Sequence, residues 1–241
     1  MRMRSLLVAA VAMNLAGSAS YAASLPDPLP CKPCFIGELI LEANPADPSG
    51  RTKVVADDLY FVDPAGLVWR ADKGDVTDGA SIPAILQPFI GQAFDRAFLS
   101  AAVIHDRYTI KIHRVRSWQA TALMFYQALV VRGVDAIKAK TMYYAVYTFG
   151  PHWGELAAGM YCGKNCINAL PGAGQAKTEF VEEPAEYSEM QNVAELKQIQ
   201  EIIAAAEIRG EPLSLSALHQ AAKARHAKNA FLAPPARPND R

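Results

Sequence analysis

Apolar residues recur at helical spacing in five stretches of the chain, and at shorter spacing in the part that precedes them. Phe35 to Ala43, Thr52 to Ala56, Asp58 to Val62 and Leu67 to Arg70 are short runs rich in β-formers and predict strands. Asp63-Pro64-Ala65-Gly66 separates the last two. Pro in second place and Gly at the close predict a tight turn there. These pieces predict a small antiparallel meander. Val76 to Pro83, punctuated by Gly79 and Pro83, predicts a loop.

The period then lengthens. Residues 92–110 put Phe94, Phe98, Ala101, Ala102 and His105 on one helical stripe. Residues 115–132 put Trp118, Ala122, Phe125 and Leu129 on another, which Gly133 ends. Residues 135–149, with Tyr143, Tyr144, Tyr147 and Phe149, form a third helix that stops at Gly150-Pro151. Short links predict antiparallel neighbours. Further on, residues 184–209 carry a narrow stripe of Val193, Leu196, Ile199, Ile202 and Ile203, and residues 214–230 form a polar, Ala-rich helix. The expected fold class is α+β: a small antiparallel β-meander, then a helical bundle, with a helical C-terminal extension. The C-terminal helices could wrap the domain, pair with another copy or bind an envelope or protein partner. A solvated appendage is the simplest reading.

Composition adds a compartment. Arg2 and Arg4 precede the apolar run Leu6 to Ala12, and Ser20-Tyr21-Ala22 offers a small-x-small cleavage site. That is the form of a secretory signal, too short to span a bilayer, and it predicts a periplasmic or secreted protein. The expected organisation is a signal peptide at 1–22, a Pro-rich segment at 23–34 and a globular core at 35–166. A linker at 167–183, a helical extension at 184–232 and a disordered tail at 233–241 would follow. Without the signal, 22 Lys and Arg face 24 Asp and Glu, which leaves no basic footprint for nucleic acid. No later stretch is apolar enough for a transmembrane segment.

Four cysteines, Cys31, Cys34, Cys162 and Cys166, sit in pairs at the two ends of the expected core. An even count in an exported chain favours disulfides, either between the pairs or within each. A four-thiolate zinc site is disfavoured by the oxidising compartment. Cys31-Lys32-Pro33-Cys34 does not open a helix after a strand, so no dipole lowers a thiol there.

Two loci carry candidate chemistry. One is the loop Thr77-Asp78-Gly79-Ala80-Ser81-Ile82-Pro83, whose Asp by itself reads as an Asx-turn or cap. The other is Ala101-Ala102-Val103-Ile104-His105-Asp106, with a His on an apolar stripe and an acid beside it. Adjacent helix positions point about 100° apart, so Asp106 is not expected to orient the His105 ring from beneath. The two can still converge on one ligand. Asp78 is the acid expected to lie close to His105. His113, His152, His219 and His226 are scattered, and no Gly-x-Ser-x-Gly or His-Glu-x-x-His is present. His152 and Trp153 could line the same surface as His105, with packing as their simpler role.

With these residues in order, the stretch from about Leu59 to Gly150 resembles the bacterial and phage family known as domain of unknown function 1353. Thr77 to Pro83 matches its Thr-Asp-x-Ala-Ser-(Val/Ile)-Pro loop, and Ala101 to Asp106 its Ala-Ala-x-x-His-Asp. Met142-Tyr143-Tyr144-Ala145-Val146-Tyr147-Thr148-Phe149-Gly150 matches its ending. The family's helix-borne Arg falls on Trp118 and its Asp on Ala122. A family Tyr falls on Thr109, with Tyr108 adjacent. The resemblance implies that the acid behind His105 is missing here, with Asp78 or Asp95 as the candidate substitute.

His-Asp on a helix is also similar to the secreted phospholipases of the A2 class. That likeness implies His105 as general base, Asp106 as a calcium ligand, and oxygen ligands from the Thr77–Ser81 loop. The cysteine pairs that flank such a His are absent here. Catalytic roles therefore fall on His105, Asp106 and Asp78, with Thr77, Ser81 and Tyr108 in support. Two functions fit: an exported envelope hydrolase using a His-Asp site with or without calcium, or a non-enzymatic periplasmic binding or structural module. In the second, the same residues form a buried hydrogen-bond network.

Overall fold

The computed structural model describes Leu25 and residues 29–79, 95–154, 182–186 and 190–232. The expected signal at 1–22, Phe94, Ser81, Cys162, Cys166, most of the expected linker and the tail at 233–241 lie outside the described residues. The chain divides into Met1–Pro30 and Cys31–Arg241, and every element below belongs to the second unit.

Among the described residues, six short strands come first: β1 (Cys34–Ile36), β2 (Leu41–Ala43), β3 (Lys53–Val55), β4 (Leu59–Val62), β5 (Val68–Ala71) and β6 (Val76–Thr77). They form two antiparallel sheets of three strands, ordered β1-β4-β5 and β2-β3-β6, rather than one meander. The reason lies at Gly37. The run from Phe35 to Ala43 reads as one strand, but Gly37 takes φ +87°, and a Cβ there would meet the Asp58 carbonyl at 2.8 Å. The chain therefore bends, and β1 and β2 join different sheets. Part of the expected loop after residue 75 is itself a strand, β6, paired with β3.

The turn after β4 forms as its residues dictate. Gly66 takes φ +86°. Asp63 Oδ1 accepts the Ala65 and Leu67 amides, each at 2.9 Å, and Oδ2 accepts Trp69 Nε1 at 3.1 Å. One carboxylate thus serves both the turn and the polar tip of a Trp that is 1 % exposed. An indole N–H buried with no acceptor would be costly.

Among the described residues, five α-helices follow: α1 (Leu99–Thr109), α2 (Trp118–Val131), α3 (Ala136–Phe149), α4 (Met190–Ile208) and α5 (Leu215–Arg225). A 3₁₀ turn at Lys111–His113 follows α1, and β7 (His152–Trp153) pairs with β8 (Glu182–Glu183). Ser117, Asp135 and Ser214 cap α2, α3 and α5 through their side chains. Helix α1 is buried almost all round, as expected of a central helix, with β4 and β5 on one side and α2 on the other.

The C-terminal helices are not a solvated appendage. Val193, Leu196, Ile199 and Ile203 of α4, with Leu218 and Ala222 of α5, belong to the same apolar core as Trp69, Phe98, Ile104 and Phe125. Of the predicted α4 stripe only Ile202 faces outward, at 46 % exposure. Polar ties reinforce the packing on α3. Lys140 Nζ meets Glu207 Oε1 at 2.5 Å, and Tyr144 donates to Glu195 Oε1 at 2.5 Å. Glu195 also takes His226 Nε2 at 3.0 Å.

Candidate functional site

Thr77, the last residue of β6, stands opposite Lys53 of β3. Its buried hydroxyl accepts the Gly79 amide at 3.0 Å and reaches Asp106 Oδ2 on α1 at 3.4 Å. Asp106 Oδ1 lies 3.5 Å from His105 Nδ1. The His105 ring packs on Phe125 of α2, with centroids 5.0 Å apart. The end of one sheet and the middle of the central helix therefore bring Thr77, His105 and Asp106 into one chain of contacts.

Asp106 is not expected to orient the His105 ring from beneath, yet the two side chains meet. The angular offset of adjacent helix positions limits the contact to the margin of hydrogen-bond range, but the contact exists. Asp106 is therefore an acid that meets this ring. Asp95, a candidate substitute for the missing family acid, is engaged elsewhere: its Oδ1 accepts the Ala97 amide at 3.0 Å and its Oδ2 faces Lys138 Nζ at 3.6 Å. Ala122, where the resemblance places that acid, is buried in the apolar core alongside Phe125.

The Asp106 side chain keeps 29 % of its surface accessible. Its carboxyl is nevertheless pushed up from the ordinary carboxylate value, first by burial and further by the charge of Asp78. His105 and Thr77 pull in the opposite direction. Asp78 is exposed, one residue past Thr77, and acts on the site through that charge. Ser81 lies outside the described residues.

Tyr108 makes its contacts with β5. Its hydroxyl accepts the Arg70 amide of β5 at 3.2 Å, and its ring meets Trp69 edge-on at 4.9 Å. It ties α1 to the sheet. His152 and Trp153 also belong elsewhere. His152 is 1 % exposed, with Nδ1 2.6 Å from Glu183 Oε2 and Nε2 3.0 Å from the Tyr147 carbonyl. Trp153 donates to the Arg116 carbonyl at 2.9 Å and packs with Trp118 and Leu232. Cys31 and Cys34 are bridged to each other, with Cα atoms 5.9 Å apart, so the first pair closes locally and does not staple the two ends of the core.

The donors among the described residues fit calcium poorly. A hard cation needs about six to eight oxygen ligands. Here one Asp106 oxygen faces a ring nitrogen and the other a threonine hydroxyl. Among the described residues, no group of three or more His, Cys, Asp or Glu is placed to hold a metal ion.

Sequence reasoning missed Arg107. It lies 8 % exposed beside Asp106 and fills the angle between two acids. NH1 meets both Asp75 oxygens, at 2.6 and 2.5 Å, and NH2 meets Asp72 Oδ2 at 2.5 Å. The signal was available in Asp72-x-x-Asp75, two acids in a turn, and in the one Arg of a helix that is buried on most sides.

Comparison with known proteins fits this arrangement. The family model described as "Protein of unknown function (DUF1353)" matches residues 53–146. The chain is 38 % identical over 228 residues to the uncharacterized protein y4iH of Sinorhizobium fredii (strain NBRC 101917 / NGR234), across 94 % of this chain and 92 % of that one. The chain belongs to the DUF1353 family. A second protein of the same organism, the uncharacterized protein y4jT, is 41 % identical over 99 residues, which are 41 % of this chain and 29 % of that one. No solved structure matches significantly. The DUF1353 match runs from β3 into α3 and contains Thr77, Asp78, His105, Asp106 and the Arg107 network. Helices α4 and α5 lie beyond it, while the likeness to y4iH extends over nearly the whole chain.

Proposed function

We propose that this DUF1353 protein is an exported envelope hydrolase in which His105 and Asp106 move the proton. The observation that carries the reading is the contact of His105 Nδ1 with Asp106, a carboxyl itself held up by burial and by Asp78. A half-buried carboxyl in contact with a buried imidazole suits proton transfer, because the two groups can pass a proton between them and on to a ligand. His105 serves as general base towards water or a substrate hydroxyl. Asp106 orients it and stabilises the imidazolium as it forms, and Thr77 fixes Asp106. The export half of the reading rests on Arg2, Arg4 and the Leu6–Ala12 run.

The test is a screen of the purified protein against ester, phospholipid and peptidoglycan substrates, beside His105→Ala and Asp106→Asn. Turnover that vanishes in His105→Ala while Asp106→Asn keeps its fold supports the reading. Turnover that survives in His105→Ala contradicts it. N-terminal sequencing of the envelope-fraction protein should begin near Ala23, and a full-length cytoplasmic protein would contradict export.

A second reading has its own support. The chain Gly79–Thr77–Asp106 also pins the loop after β6 to α1, as a purely structural network would. That reading gains if His105→Ala melts at lower temperature and no substrate in the screen is consumed.

A further inference from the structure

The Thr77–Asp106 contact is a weak link of the site, at 3.4 Å between a hydroxyl and a carboxylate. Alone it would not hold β6 in register against α1. Beside it lies a much stronger tie. We infer that Arg107 is a positioning residue, whose fork onto Asp75 and Asp72 sets the approach of Thr77 to Asp106 and, through Asp106, the setting of the His105 ring. The inference rests on the proposed reading of His105 and Asp106 as the working pair.

The argument is one of register. Asp106 and Arg107 are consecutive on α1. Their partners, Thr77 and Asp75, are two apart on the strand side, and residues two apart on an extended chain share a face. Two parallel ties therefore join the same two elements one step apart, and fixing one fixes the other. The Asp75 side is rigid. Its carbonyl accepts the Val55 amide at 2.8 Å, and its amide donates to the Asp72 carbonyl at 3.0 Å. Its carboxylate accepts the Asp72 amide at 2.8 Å, and the neighbouring Gly74 amide donates to the Val55 carbonyl at 2.8 Å. The turn is thus stitched to β3, and β3 pairs with β6. Asp72 is steadied in turn by Arg70 Nε at 3.0 Å. A planar guanidinium meets two carboxylates in one fixed geometry, which the point charge of a lysine cannot do. A register clamp needs that property, and charge neutralisation alone does not.

The test is Arg107→Lys, which keeps the charge and removes the fork, read without any substrate. The amide of Gly79, bonded to Thr77, reports the strand side, and the ¹⁵N-labelled ring of His105 reports the helix side. Amides of Leu59 and Phe61, in the other sheet, report the core. The expected result is Gly79 exchange faster by about tenfold or more, with the Leu59 and Phe61 amides protected as before. The His105 ring signals should shift towards those of Asp106→Asn. Unmoved Gly79 and His105 signals would overturn the inference, as would equal loss of protection at Gly79, Leu59 and Phe61. If Arg107→Lys does not fold, Asp75→Asn removes one arm of the fork and is read in the same way. Because no turnover is measured, a protein that hydrolyses nothing leaves this result unaffected.

Discussion

At the scale of single residues, burial assigns each histidine its work. The Nε2 of His219 on α5 lies 2.5 Å from the Tyr143 hydroxyl, and its ring stacks on Tyr147 with centroids 4.2 Å apart. A phenol donating to Nε2 requires the neutral ring, in keeping with burial lowering the His219 pKa from its ordinary 6.5. The unfolded chain then binds a proton that the folded one refuses. The stability tied to this group is present above pH 6.5 and is lost as pH falls through the depressed folded value. The melting temperature should therefore drop on acidification below pH 6.5, and His219→Gln should flatten part of that slope. An unchanged slope in thermal melts of His219→Gln would contradict this assignment. Legibility at this scale was mixed. His105, Asp106 and Thr77 stood out by type and spacing. The Asp106–His105 contact did not, because it depends on side-chain torsion, and Arg107 was hidden because its partners lie 32 and 35 residues away in the sequence.

The helices were the elements most legible in the sequence. Their stripes at Trp118, Ala122, Phe125 and Leu129, and at Val193, Leu196, Ile199 and Ile203, are buried as the period requires. The strands were legible as runs but not as pairings. Partner choice is non-local, and it turned on Gly37. That position yields a test. Gly37 and Gly133 both take positive φ, so Ala costs about 1 kcal/mol of backbone strain at either. Only at Gly37 would the new Cβ also strike a carbonyl, whereas at Gly133 nothing lies within 4 Å. Urea unfolding should show Gly37→Ala clearly less stable than Gly133→Ala. Equal losses would mean that the β1–β2 bend does not depend on this close approach.

At the scale of the molecule, the polar surface of α4 and α5 hid their role. Charged residues outnumber the narrow apolar stripe, and the stripe alone cannot say what it covers. In the structure it covers α3, adding Leu196, Ile199, Ile203 and Leu218 to the core beside Phe125 and Tyr144. Each such side chain contributes about 1.5–3 kcal/mol on burial. Together they rival the roughly 5–15 kcal/mol that holds a typical domain. A chain ending at Glu186 should therefore lose its near-ultraviolet circular dichroism and its cooperative melt. A cooperative melt in that shortened chain would show the DUF1353 region to be self-sufficient. For the account as a whole, the most direct measurement is a carboxyl-carbon NMR titration of Asp106, in the protein and in Asp78→Asn. A midpoint above the ordinary 3.8, falling when the Asp78 charge is removed, is the result expected of a coupled proton-handling group. A midpoint at or below 3.8, or one indifferent to Asp78→Asn, would contradict it.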